Sequence, residues 1–546
     1  MSEKRYSLGL DFGTLSARAV LADVENGNVL PHESVFTYPH AIMTTLDGSA
    51  LPTNYALQHP QDYIDALEFL ICDTLSQNKI SKESVIGIGI DFTDCSVLPV
   101  DETLTPMCML EKYKHDPHAY VKLWKHHAKE EYAQKALECA KTYDETLLSV
   151  SGNTLTSEFL IPKLYETFCE SRELYNDTYK FLSAGDFVTS LLIGKVPIHS
   201  KAFSAKQHYK DTKYPSKEFF ALLDKDFETV YEEKTVTELS PPFCAVGKLC
   251  KEWAKRTGLC EGIAVSAPII DAYGAISASG ISENRAVLVL GTSAVLEAVT
   301  SSDKEINGLL VSSYESIAPK MTTIEAGLAA MGDLFDWFIK NALPEKYTNK
   351  AKELGITPHQ YLRSLAETQK IGAHGLIALD WWNGCRSMKL NNELSGTIIG
   401  LRLSTRPEDI YRALIESTAF GIRRIIDSLR DQEITFTEIF TTGGISKKDP
   451  MLMQIFADVF NIPIYCLFAT QATALGSAIY GAVAAGVYED IITASKRMAS
   501  PIERIYSPIE SNHKEYEKIY LQYKNLFDYY NKSDTNIMTF LSQNKA

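Results

Sequence analysis

No apolar run in this sequence approaches the ~20 residues that a membrane-spanning helix requires, so a membrane partner is not expected. The start of the chain offers only Lys4 and Arg5 before Leu8-Gly9-Leu10 meets Asp11, too short an apolar region for a secretory leader. The ten cysteines include no Cys-x-x-Cys pair, and most have apolar neighbours, which points to reduced structural thiols in a cytoplasmic protein. Massed positive charge is also missing. Lys and Arg are scattered and the formal net charge is −15, which argues against nucleic acid as a partner but leaves room for a local basic phosphate pocket. Neither G-x-x-x-x-G-K-[ST] nor G-x-G-x-x-G occurs. What remains is an ordinary globular composition spread over 546 residues. That is too long for one core, so at least two domains are expected.

The stretch from Gly262 to Leu296 organises the rest. Ala264–Ile270 is an apolar run ending on Asp271, followed by small residues expected to form a helix. Ala286–Leu290 reads as a buried strand that ends in Gly291-Thr292-Ser293, a turn with backbone N–H groups and two hydroxyls to offer. A carboxylate able to accept a proton, followed by a turn suited to phosphate, suggests phosphoryl transfer to a hydroxyl. That Asp271 only caps its helix stays an open alternative. A second phosphate-type turn lies near the N-terminus, where Tyr6–Leu10 runs into Asp11-Phe12-Gly13-Thr14 and Ala19–Val24 returns as the other arm of a hairpin.

Between these turns, helical spacing predicts a helix over 60–79, then a strand over Val85–Ile90 that ends in the polar turn Asp91–Ser96. Loops at the C-terminal ends of such strands meet ligands in open α/β sheets. His115, His118, His126 and His127 crowd one segment, but no carboxylate stands at ligand spacing, and a helix carrying Trp124 toward a cleft or the core is the expectation there, not zinc. Residues 129–260 read as mostly helical. A boundary at Gly280–Asn284 divides the chain into 1–281 and 282–546. The second part repeats the first: a strand with a Gly-Thr turn, helices, then a short strand at Ile439-Phe440 running into Thr441-Thr442-Gly443-Gly444. A helix over Pro450–Phe460, a strand over Ile464–Leu467 and a tail helix from about Asn512 complete it, the tail with Tyr516, Tyr520, Tyr523 and Phe527 on one face. Two halves of one plan suggest a duplicated α/β domain closing around a nucleotide.

These motifs together resemble the FGGY family of sugar kinases, and along most of the chain the ribulokinase branch of it. The longer matches are Gly89–Thr93, His118–His127, Leu379–Gly384, Leu394–Gly396 and Tyr411–Glu416. The resemblance implies an α/β fold of two ribonuclease H-like (actin-like ATPase) domains with the active site in the cleft between them. It implies transfer of the γ-phosphoryl group of ATP to the 5-hydroxyl of a ketopentose, L-ribulose first among them, with D-ribulose, xylulose or a polyol as alternatives. Asp271 would be the base that takes the proton from the sugar O5, and Asp11 and Asp271 the carboxylates nearest Mg²⁺. Thr14 and Arg18 would lie near the phosphates, Gly291 and Thr292 near the γ-phosphate, and Gly443, Gly444 and Lys447 with the rest of the nucleotide. Trp124, Lys206, Asp271 and Glu325 would hold the sugar.

Three departures bear on which sugar. Asp94 stands where that branch carries a small residue, Glu325-Ala326-Gly327-Leu328 replaces Glu-Ala-Gly-Gln, and Cys385 replaces an Asn. Asp94 either reads sugar hydroxyls or turns away to cap its loop. A chaperone-like ATPase on the same fold is the rival reading from another class, and a homodimer is left open.

Overall fold

The computed structural model describes residues 4–210, 212–302, 306–388, 391, 393–531 and 537–543. Two seven-stranded sheets share one plan. The first contains β1 (Tyr6–Phe12), β2 (Ser16–Asp23), β3 (Ser34–Thr37), β4 (Val85–Phe92), β5 (Ala245–Lys248) and β6 (Ala264–Ser266), in the spatial order β5-β6-β4-β1-β2-β3, with Ile269–Ile270 pairing the end of β4. The second contains β7 (Arg285–Leu290), β8 (Ala294–Thr300), β9 (Val311–Tyr314), β10 (Thr322–Leu328), β11 (Glu438–Thr442), β12 (Ile464–Leu467) and β13 (Ile502–Tyr506), ordered β9-β10-β8-β7-β11-β12-β13. In each, an antiparallel hairpin (β1–β2, β7–β8) is followed by strands running parallel to its first arm (β4, β11). The two glycine-and-hydroxyl turns are the bends of these hairpins. The duplicated α/β plan expected from the sequence is therefore present.

The central strands are apolar because both their faces are covered: all seven residues of β1 are buried, and seven of the eight in β4. Of the helices α1 (Pro60–Asn78), α2 (Leu160–Glu170), α3 (Asp271–Ser279), α4 (Pro407–Asp431), α5 (Pro450–Phe460), α6 (Ala472–Ala484) and α7 (Glu510–Asn531), all but α2 and α7 pack on these sheets; α2 belongs to a separate core and α7 packs on α5. Helix α1 starts where the His59 ring accepts the Gln61 N–H at 3.1 Å and Pro60 takes the first position. It stops where Lys79 turns left-handed at φ 54°. On α7, Tyr516, Tyr520, Tyr523 and Phe527 are buried in the second core, as their spacing predicts.

Helix α6 crosses from the second half of the sequence to the first sheet. A Cβ on Gly89 would stand 1.8 Å from the carbonyl oxygen of Ser477, and one on Gly9 equally close to that of Ala474. Only glycine lets a helix backbone come this near to a strand. The core around the first sheet thus takes in side chains between Ala472 and Met498 as well as those of the first 281 residues. Among the described residues, no helix is long and apolar enough to cross a membrane.

Replacing Gly89 with Ala is expected to destabilise the protein by more than the ~1–3 kcal/mol typical of overpacking, because the obstacle is backbone and cannot swing aside. The urea unfolding midpoint and the soluble yield measure this. A wild-type midpoint would contradict the α6–β4 contact.

Candidate active site

Three apolar strands of the first sheet run toward one edge, and each delivers a carboxylate there. Asp11 in β1 is in register with Asp91 in β4, Ile269 pairs with Asp91, and Asp271 follows two residues later. All three lie where the parallel strands end, the usual ligand edge of such a sheet. Asp11 Oδ2 accepts from the Thr473 hydroxyl at 2.7 Å and from the Arg18 guanidinium at 3.3 Å. Asp91 is fully buried; its Oδ2 accepts from the Ser477 hydroxyl at 2.6 Å, while Oδ1 has no hydrogen-bond partner among the described residues. Burial first, then the neighbouring Asp11 carboxylate, push Asp91 well above the usual carboxylate range. The same two causes raise Asp271 to about 7, which suits a group that must take a proton near neutrality. Asp271 is not the cap of α3. Ile270 holds that position, and Asp271 is the first helical residue, one oxygen accepting the Ala272 N–H at 2.8 Å.

The turns beside these carboxylates are built alike. Gly13 N–H closes on Ser16 O at 3.1 Å and Gly291 N–H on Ser293 O at 3.0 Å. The glycine amides are therefore committed to their own turns, and the remaining amides and the Thr14 and Thr292 hydroxyls are what a phosphate would meet. The carbonyls of Gly291 and Thr292 are anchored by the amides of Gly332 and Met331 at 3.1 and 2.8 Å, which leaves the opposite side of the turn outward. Gly443, at φ 100°, brings the third turn so near that a Cβ would stand 2.3 Å from Leu290 O, at the end of β7; Gly444 has open space around its Cβ position. Lys447 is not free to meet a phosphate as it stands, since its ammonium donates to Phe468 O at 2.7 Å and lies 3.4 Å from Glu503.

Opposite the carboxylates, Lys206 lies 3.0 Å from Asp94 and 3.4 Å from Glu325. Burial alone would lower its pKa, but Glu325 and Asp94 reverse the effect and keep the ammonium charged. Asp94 Oδ1 accepts the Cys95 N–H at 2.7 Å, and its Oδ2 faces Lys206. Half-buried Trp124 donates its indole N–H to the Thr14 hydroxyl at 3.0 Å, joining this side to the first phosphate turn.

The expected helix around Trp124 is absent. Pro117–Ala119 forms a single tight turn capped by Asp116, and Val121–Lys122 then pairs with Leu57–Gln58 in a small four-stranded sheet. Helical periodicity loses here to long-range pairing and to the buried Lys122, whose ammonium donates to Glu166 at 2.7 Å and Thr167 at 2.9 Å. The histidines meet carboxylates: His126 lies 2.8 Å from Glu166, His118 lies 3.4 Å from Glu170 and 4.0 Å from Glu166, and His115 lies 2.5 Å from Asp47. Burial lowers His126 to about 4, so it is neutral at physiological pH. Among the described residues no three His, Cys, Asp or Glu side chains are grouped to hold a metal.

Sequence reasoning passed over two carboxyls. Asp91 carries the same signal as Asp11 and Asp271, an acid closing a buried apolar run. Glu297 faces Glu325 directly across β8 and β10, fully buried and with both oxygens unpartnered among the described residues. Burial, then Glu325 and Asp271, push it well above the carboxylate range.

A family model described as "FGGY family of carbohydrate kinases, C-terminal domain" matches residues 286–485. A ribulokinase of Geobacillus thermodenitrificans is 37% identical over 544 residues, covering 98% of this chain and 96% of that protein. One of Halalkalibacterium halodurans is also 37% identical, covering 99% and 98%. Among solved structures, a xylulose kinase from Rhodospirillum rubrum superposes with a TM-score of 0.79 at 20% identity, covering 97% of this chain and 99% of that one. A ligand-bound xylulose kinase from Lactobacillus acidophilus gives 0.78 at 18%, with the same coverage. With full-length relatives at this identity and two sheets on a repeated plan around one acidic edge, the chain belongs to the FGGY family of carbohydrate kinases.

Proposed function

We propose that this protein transfers the γ-phosphoryl group of ATP to the 5-hydroxyl of L-ribulose. The observation that carries the reading is Asp271. It stands with Asp11 and Asp91 at the ligand edge of the first sheet, with Lys206 among the groups that set its charge, and its pKa is raised to about 7. A sugar hydroxyl is a weak nucleophile until a base meets it, and phosphoryl transfer otherwise asks for positioning and charge neutralisation. Asp271 takes the proton from the acceptor hydroxyl. Lys206 and Glu325 hydrogen-bond the remaining hydroxyls, and Trp124 offers the sugar an apolar wall. The hydroxyls and amides at Thr14 and Thr292 face the phosphates, Arg18 adds positive charge beside them, and Gly443 and Gly444 give the nucleoside a flat approach.

Mg²⁺ fits the acidic edge: Asp11 and Asp271 offer hard oxygen ligands, the Asp91 Oδ1 lacks a partner among the described residues, and this ion needs only one or two carboxylates beside phosphates and water. When bound it neutralises charge on the phosphates. ATP as donor, together with ten free thiols, suits the cytoplasm.

Asp271→Asn is expected to lower sugar phosphorylation ~10²–10⁴-fold with ATP affinity largely kept; steady-state kinetics and nucleotide titration check this, and near-normal turnover would remove Asp271 as the base. The same variant has a signature in the ligand-free protein. Because the folded-state pKa of Asp271 is raised, the folded state binds the extra proton. The stabilisation this gives is complete near pH 4 and is lost as pH rises to about 7. Asn should therefore be more stable than wild type at pH 8, by something on the order of 2–4 kcal/mol, with the gap closing toward pH 4. A pH-independent difference in unfolding free energy would show that Asp271 is not desolvated as described.

Lys206→Ala should raise the sugar KM more than Glu325→Ala, since it leaves two buried carboxylates without their cation, and each should leave the ATP KM nearly unchanged. Losing one charged hydrogen bond costs about 1.5–3 kcal/mol. ADP release measured over all four 2-ketopentoses and a set of polyols tests the acceptor. Preference for a sugar other than L-ribulose would redirect the assignment, and turnover indifferent to every sugar would favour a non-catalytic ATPase.

A further inference from the structure

Lys163 lies in α2, wholly buried. Among the described residues it makes no ion pair within 4 Å. Its ammonium instead donates to two backbone carbonyls from separate segments, Cys95 O at 2.8 Å and Leu123 O at 2.6 Å. Cys95 directly follows Asp94, and Leu123 directly precedes Trp124. An ammonium out of water and without a counter-ion is costly, and burial draws its pKa down to about 8. Two features show that the surroundings are built around this contact. Cys95 sits in the left-handed region at φ 54°, a conformation that a cysteine keeps only when its surroundings hold it there. Lys122, adjoining Leu123, returns a hydrogen bond to Lys163 O at 3.1 Å, so helix and strand grip each other in both directions.

We propose that Lys163 is a positioning residue for the acceptor sugar: by bonding the carbonyls beside Asp94 and Trp124 at once, it fixes the spacing between the two walls of the sugar site. The proposal rests on reading Asp94 and Trp124 as sugar-side residues. The geometry gives it a direction of action. Asp94 sets where Lys206 stands, and Trp124 is tethered to the first phosphate turn through Thr14. A change in their spacing therefore moves the acceptor hydroxyl relative to the phosphate, and reaches the first phosphate turn only through the Trp124–Thr14 hydrogen bond. A carboxylate or an amide on α2 would not serve as well. Two converging carbonyls need a group that donates at least two hydrogens and accepts none, and an ammonium on a long stem meets that need.

The test is Lys163→Met in the full-length protein, with sugar and ATP kinetics measured separately. Misplacement of a reactant by about 1 Å costs on the order of 10²-fold, so sugar kcat/KM should fall by about that factor, with the ATP dissociation constant within about twofold of wild type. In a variant already carrying Asp94→Ala and Trp124→Ala, adding Lys163→Met should lower sugar kcat/KM less than about threefold, because residues that act through one another are not additive. A purely structural lysine would instead weaken sugar and ATP together and add its full effect to that background. Either result overturns the proposal, as does Lys163→Met with wild-type sugar kinetics. Lys163→Arg keeps the charge and the paired donors but reaches about one bond further. It carries the test if the Met variant does not fold, with sugar kcat/KM expected to drop about five- to tenfold at unchanged ATP affinity; wild-type sugar kinetics would count against the tie. If the Asp94→Ala, Trp124→Ala variant itself keeps wild-type sugar kinetics, the sugar site is misread and the role of Lys163 falls with it. If that variant loses activity while Lys163→Met does not, only the role of Lys163 fails.

Discussion

The close approach of helix α6 to strands β1 and β4 is the contact on which the rest of the site depends. Gly9 and Gly89 face each other in register on the two strands, and the helix backbone occupies the space their side chains would take. That approach puts two hydroxyls from the second half of the chain over the acidic edge of the first: Thr473 on Asp11 at 2.7 Å, and Ser477 on Asp91 at 2.6 Å. The helix crosses α3 equally closely, since a Cβ on Gly476 would stand 2.0 Å from Gly274 O. The helix that begins with the proposed base is thus wedged against the element that partners the other two carboxylates. Shift α6 outward by a methyl group and both hydroxyls leave their acids.

The edge so built is electrostatically expensive. The Asp11 carboxylate raises both Asp91 and Asp271, Asp271 raises Asp91 further, and Glu297 adds a fourth acid that has no hydrogen bond among the described residues. Against them stand Arg18 on one side and Lys206 on the other. A stability-optimised protein would not collect acids in this way. Such departures persist where function needs a site that is incomplete until a charged ligand arrives. The side chain of Glu297 belongs to the same account. Burial, with Glu325 directly opposite on the paired strand, pushes its carboxyl well above the usual carboxylate range.

Much of this was legible in the sequence because it is local. The apolar runs of β1 and β4, the Pro60 and Pro450 starts, the tyrosine face of α7 and the two glycine turns are each written in a dozen residues or fewer, and the structure has them where periodicity and capping place them. What was not legible depends on distance. The segment around Trp124 has helical spacing but is held extended by Leu57–Gln58 and by the buried Lys122–Glu166 pair, 44 positions apart. Lys163 looks like any helix lysine until the carbonyls of Cys95 and Leu123 are seen to converge on it. Lys447 has the sequence position of a nucleotide contact, yet its charge is engaged by Phe468 O and Glu503. The burial of residues 472–498 with the first sheet likewise could not be read from a boundary drawn by repeat spacing.

Asp94 shows why a substitution next to a sugar cannot be read alone. From sequence, reading the sugar and capping the loop were competing roles for one carboxylate. The structure shows one oxygen on the Cys95 amide and the other on Lys206. A carboxylate has about four lone-pair directions, so these two partners do not exhaust it, but they fix its orientation. Whatever it contributes to choosing among pentuloses therefore passes through the position of Lys206, which Glu325 pulls from the other side at 3.4 Å. A small residue at 94 would leave that ammonium with a single carboxylate and more freedom to follow the sugar. With Asp present, the cation is held between two carboxylates, which the proposed sugar would have to fit. On the proposed function, selectivity would then be a property of the Asp94–Lys206–Glu325 row as a unit, and of the proposed backbone tie that sets where the row begins.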